Sequence, residues 1–137
     1  MERTTQQRIA ILNSLQNSGR PLSVNEILAS AKNSVGGLGI ATVYRNLKAL
    51  LSESKVKRVE LPGQSPRWEM VPEDHHHHFL CRTCDKLFEI HACPEDITRL
   101  LPDGYVLEAH DILLHGQCDA CVGKKLQIPV KNKSCKK

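Results

Sequence analysis

The chain has 137 residues, 40% of them apolar and 25% charged, with a net charge of +4 at pH 7 and six cysteines. That length holds one ordinary domain or two small ones with a real core, which excludes a disordered or fibrous chain. No stretch approaches the roughly 18 unbroken apolar residues of a membrane span and the first residues carry no apolar leader segment, so the sequence reads as soluble and cytoplasmic.

The charge is unevenly placed. Residues 1–70 hold ten Lys/Arg against five Asp/Glu, residues 71–123 hold three against ten, and residues 124–137 hold six lysines and no acid. A basic first half suits a polyanion and an acidic second half suits cations. The lysine-rich end has the composition of a disordered tail.

In chain order, Thr5 is placed to cap a helix over 6–17, with Ile9, Leu12 and Leu15, joined by Ile11, at helical spacing and Gly19 ending the run. Ser23-Val24-Asn25-Glu26 is a capping box, with Leu22 before it able to staple onto Ile27, so a second helix starts there and runs to about Lys32. The glycines of 33–39 make a turn. A third helix is expected over 40–52, with Val43, Leu47, Leu50 and Leu51 on one face. Its other face carries Ala41, Arg45, Lys48 and Ala49, flanked by Thr42 and Tyr44. Strands over 56–61 and 67–70 then flank a turn, Pro62-Gly63-Gln64-Ser65-Pro66.

Three helices followed by a hairpin describe a winged helix, and the short turn between the second and third helices describes a helix-turn-helix. Arg45 and Lys48 on the third helix, with Lys55, Lys57 and Arg58 leading into the hairpin, are placed to neutralise phosphates on both sides of a groove.

Residues 71–74 read as a hinge. Beyond it the sequence predicts strands at 79–81 and 87–90, a helix from Pro94 to about Leu101, and a strand over 105–114. This small α/β unit, 75–123, is too thin to bury much alone and is expected to be stabilised by metal and by dimerisation. The fold class is therefore α+β, a winged helix-turn-helix domain over 1–70 followed by a metal-binding dimerisation domain.

Metal chemistry is concentrated around Glu69 to Cys84. Two CxxC pairs, Cys81/Cys84 and Cys118/Cys121, each form a tight two-ligand knuckle, and together they supply the four thiolates of a structural zinc site. Without a leader segment these cysteines read better as reduced ligands than as disulfides. Cys93 and Cys135 stand alone; the first reads as a small buried or partly exposed thiol and the second as a free thiol on a mobile tail. Four consecutive histidines precede the first knuckle. Because strand side chains alternate, His75 and His77 point one way while His76 and His78 point the other, which makes two sites more natural than one.

Here the residues resemble the ferric uptake regulator family of metal-responsive repressors over nearly the whole chain. Thr5-Gln6-Gln7-Arg8 resembles its entry to the first core helix, residues 39–47 (GIATVYRNL) its recognition-helix signature, and residues 75–84 (HHHHFLCRTC) its metal-binding signature. The resemblance implies that Tyr44 and Arg45 meet DNA in the major groove and that the four paired cysteines hold zinc. It also implies a hinge sensory site from Glu69, His76, His78 and Glu89, and a second site from His75, His77, Asp96 and His110. Three positions depart from the pattern: Pro21 stands where many members place a histidine, Met70 where zinc-responsive members place a cysteine, and His77 where iron sensors place an aspartate.

The function expected is a homodimeric, metal-dependent repressor that binds a double-stranded operator. Its DNA contacts are Thr42, Tyr44, Arg45, Lys48, Lys57 and Arg58. Its cofactors are a structural Zn(II) and a regulatory Zn(II) or Fe(II), with Mn(II) as a further candidate. The alternative within the family is an Fe- or Mn-dependent peroxide sensor. A zinc hydrolase lacks an HExxH motif and a zinc-storage module leaves the basic first half without a task, so no enzymatic activity is expected.

Overall fold

A computed structural model describes residues 3–123, with side chains from Thr5 onward; the expected lysine tail and Cys135 lie outside the described residues. The described residues divide into two compact units, with the boundary between His75 and His76.

The first unit contains α1 (Arg3–Ser18), α2 (Val24–Ala31), α3 (Ile40–Ser52) and the antiparallel strands β1 (Val56–Leu61) and β2 (Gln64–Met70). Thr5 falls inside α1 rather than capping it, and Gly19 ends the helix at φ 69°. The capping box of α2 is complete: Glu26 N–H donates to Ser23 Oγ at 3.1 Å and Ser23 N–H to Glu26 Oε1 at 3.0 Å. Arg20 holds the same carboxylate at 2.8 Å, which fixes the entry to the helix. An ion pair between Arg8 and Glu53 ties α1 to the end of α3.

The hairpin is tighter than its sequence suggests. Gly63, at φ 74°, lets the chain reverse at Pro62-Gly63, so Gln64, Ser65 and Pro66 belong to β2. β2 is also stitched to the segment before α2, since Leu22 and Trp68 exchange backbone hydrogen bonds of 2.8 and 2.7 Å. The core under the three helices gathers Ile11, Leu15, Leu22, Ile27, Val43, Leu47, Leu50, Val56 and Trp68. Pro21 is also buried.

The second unit is a three-stranded sheet in the order β4-β3-β5. β3 (His77–Cys81) pairs antiparallel with β4 (Leu87–Ile90) and parallel with β5 (Leu113–Gly116). Leu80 and Leu87 are buried, and the remaining buried cluster is Cys81, Cys118 and Cys121 with Phe79, Cys84 and Phe88 against it. Gly116 makes this possible: a Cβ there would meet the Phe79 ring at 3.2 Å.

Two expectations are corrected here. The helix expected from Pro94 to Leu101 is only a short 3₁₀ turn, Ile97–Leu100, none of whose residues is buried. A helix this short without a face to pack is not self-supporting. The strand expected over 105–114 forms only at Leu113–Gly116, because β3 offers a partner there; Tyr105 and Val106 are exposed and irregular.

Candidate metal centres and nucleic-acid interface

Four cysteines from distant parts of the chain converge. Cys81 ends β3, and the chain folds straight back through Asp85, at φ 67°, whose N–H donates to Cys81 O at 2.9 Å. This turn brings Cys84 beside Cys81. Past β5 a second turn, closed by Cys121 N–H to Cys118 O at 2.9 Å, delivers the other pair. The four sulfurs lie within 4.8 Å of one another, with Cys84 and Cys118 Sγ 3.8 Å apart. A tetrahedral zinc with Zn–S of about 2.3 Å places its sulfurs about 3.8 Å apart, so this donor set fits zinc.

The electrostatics agree with that chemistry. Burial opposes ionisation of Cys81, but backbone N–H groups of Cys84, Cys118 and Thr83 outweigh it and bring the thiol down to about 6. Burial pushes Cys84 up, and burial with the neighbouring sulfurs of Cys118, Cys81 and Cys84 pushes Cys121 up to about 12. Four packed thiols cannot all ionise unaided. A dication lets them do so and releases their protons.

The histidine run splits. The rings of His76 and His78 lie 4.8 Å apart, edge to face. Glu89, the cross-strand partner of His78, holds its carboxylate 3.7 Å from His76 Nε2. His91 joins from the end of β4, 3.5 Å from the other oxygen of Glu89 and stacked on His76. His91 was not among the residues singled out from sequence. Its signal was present, since it lies two positions after Glu89 on a strand of period two.

His77 turns the other way and lies against His110, ring centroids 4.9 Å apart. Between them sits Cys93 Sγ, 3.4 Å from His77 Nε2 and 3.1 Å from His110 Nε2. Ile112 N–H donates to His77 Nδ1 at 3.2 Å, so Nε2 carries the ring proton towards the sulfur. Asp96, expected in this group, instead holds Arg99 at 3.2 Å. Glu69 is buried on β2 of the first unit, and His75 is that unit's last residue.

On α3, Val43, Leu47 and Leu50 face the core, while Tyr44, Arg45 and Lys48 are exposed. Leu51, assigned to the core face from periodicity, is 36% exposed at its edge. Arg45 donates to Thr42 Oγ1 at 3.0 Å, which steadies the guanidinium one turn along the helix. Lys57 and Arg58 are exposed on β1, with Arg58 paired to Glu60.

Comparison with known proteins gives one consistent answer. The ferric uptake regulator family profile matches residues 2–115. The ferric uptake regulation protein of Haemophilus influenzae is 30% identical over 118 residues, covering 83% of this chain and 81% of that protein. The peroxide operon regulator of Bacillus subtilis is 29% identical over 126 residues, covering 90% and 86%. Among solved structures, the Helicobacter pylori ferric uptake regulator, described as having three functional metal binding sites, superposes with a TM-score of 0.67 at 30% identity, covering 84% of this chain and 79% of its own. A zinc-bound manganese uptake regulator superposes with a TM-score of 0.70 at 26% identity, covering 82% and 87%. With α+β architecture, thiol and histidine clusters suited to metal, and a match over residues 2–115, the chain belongs to the ferric uptake regulator family of metal-dependent transcriptional regulators, which bind DNA as dimers.

Proposed function

We propose that this chain is a homodimeric cytoplasmic repressor, without catalytic activity, whose operator binding requires Zn(II) or Fe(II) at a site built on His76, His78 and Glu89. The observation that carries the reading is the exposed Tyr44, Arg45 and Lys48 face of α3, on a chain whose other unit gathers histidines around a carboxylate. Arg45 and Tyr44 are the residues for base edges and Lys48, Lys57 and Arg58 those for phosphates, with Thr42 orienting Arg45. Cys81, Cys84, Cys118 and Cys121 would hold the structural zinc, which supplies a permanent cross-link. A bound regulatory metal favours one arrangement of the DNA-reading units over others. Leu100, Tyr105 and Val106, all more than two-thirds exposed, support a dimer that covers this segment.

The test is retardation of promoter DNA as Zn, Fe and Mn are titrated separately into protein that keeps its structural zinc. Retardation should require one of these metals. Arg45→Ala should abolish discrimination between operator and random DNA, and Lys48→Ala should weaken both while lowering the salt slope by about 0.9. Equal retardation with and without metal would defeat the reading.

A peroxide-sensing repressor is the second reading, favoured by the similarity to the peroxide operon regulator of Bacillus subtilis. It expects an added oxygen on His76 or His78 when iron-loaded protein meets peroxide, visible by mass spectrometry. An unmodified pair eliminates it.

A further inference from the structure

We propose that Cys93, with His77 and His110, forms a thiolate-containing site for a borderline-soft divalent ion of the zinc class, sulfur taking the place that the sequence assigns to the Asp96 carboxylate. The three donors come from separate segments: His77 opens β3, Cys93 follows β4, and His110 precedes β5. They nevertheless meet at one point. Cys93 Sγ stands 3.1 and 3.4 Å from two imidazole Nε2 atoms. Sulfur and nitrogen on one tetrahedral zinc, with Zn–S of about 2.3 Å and Zn–N of about 2.0 to 2.1 Å, lie about 3.5 Å apart. The group is thus close to ligating geometry.

Two further observations favour sulfur over the carboxylate. Asp96 is engaged by Arg99 on its own turn, whereas Cys93 is held by both rings. His77 is almost wholly buried while Cys93 is exposed, so the site has a fixed floor and an open side through which an ion can enter. The donor set decides the ion. A carboxylate with imidazoles suits Mn(II) or Fe(II), while a thiolate with imidazoles shifts preference to Zn(II). Ligation through His77 Nε2 moves the ring proton to Nδ1 and sends the Cys93 thiol proton to solvent, so the hydrogen bond from Ile112 N–H is lost as the site loads. Ile112 immediately precedes β5, the strand that leads to Cys118, so loading would be felt at the sheet.

The inference deepens the metal-responsive reading by naming the ion class of one site, and it is testable apart from DNA binding. Protein retaining zinc at its four cysteines is titrated with Co(II), with zinc content measured before and after. The parent should gain a sulfur-to-cobalt charge-transfer absorption as Co(II) binds, Cys93→Ser should lose it with zinc content and thermal unfolding unchanged, and Asp96→Ala should keep it. Co(II) binding without that absorption, or the same absorption in Cys93→Ser, overturns the proposal. Retardation assays on the same samples separate the two ideas: the absorption without metal-dependent retardation defeats only the functional reading, and retardation without the absorption defeats only this one.

Discussion

Twelve buried apolar side chains, drawn from every helix, both strands and Leu22 between α1 and α2, close the core of the first unit, whereas the buried cluster of the second is three cysteines with Phe79, Cys84 and Phe88 packed against them. A fully buried Val, Leu or Ile contributes about 1.5 to 3 kcal/mol, so hydrocarbon burial is the main support of the first unit. The sheet β4-β3-β5 has only Leu80 and Leu87 as buried aliphatics. Its interior is sulfur, and sulfur stabilises a fold mainly when a metal joins it. The interior of one unit is therefore hydrocarbon, and that of the other is a set of thiols that a bound cation would join.

The sharpest way to break that comparison is to remove the metal. Strong chelation, or Cys118→Ser, should abolish amide-exchange protection in β3, β4 and β5 while α1, α2 and α3 keep theirs. The expected loss is large, since structural zinc contributes on the order of 10 kcal/mol to a small domain. Uniform loss of protection across both units would show that they do not differ in this way.

The converse substitution is smaller. Leu47→Ala, at a fully buried position of α3, should lower the stability of the first unit by about 2 to 5 kcal/mol, followed by Trp68 fluorescence in denaturant, with zinc retained by the second unit.

The same contrast explains what could be read without coordinates. α3, β1 and β4 have the bounds that the sequence predicts, α3 because it buries one helical face and the two strands because turns bound them. The capping box of α2 was legible because its two hydrogen bonds involve residues three apart. Pro94–Leu101 and Tyr105–Leu114 were misread because propensity and apolar content were counted there without a surface to pack on; Leu100 and Val106 are each 83% exposed. The four-cysteine group was visible from two CxxC knuckles, each local. Cys93 was not, because its partners lie 16 and 17 residues away and only the return of the chain to β3 brings them together.

A still smaller effect belongs to the α2 entry. Burial opposes ionisation of Glu26, but the Arg20 guanidinium and the Ser23 backbone hold its carboxyl below 4.5, its ordinary value. A depressed native value means that the contribution is present above about pH 4.5 and lost as the pH falls through the native value. Glu26→Gln, which keeps the capping hydrogen bond but not the charge, should cost about 0.5 kcal/mol near neutrality, and the gap to the parent should close in acid. A gap that is constant with pH would show that the charge plays no part.

The central claim, that cations in the second unit govern DNA reading by the first, makes a reciprocal demand, because the coupling of two ligands is one free energy. The measurement is calorimetric affinity for the regulatory metal, in zinc-retaining protein, with and without saturating operator DNA. The account predicts that DNA tightens metal binding by the same factor by which metal tightens DNA binding, and that His76→Ala removes both effects. Metal affinity unchanged by DNA would contradict it.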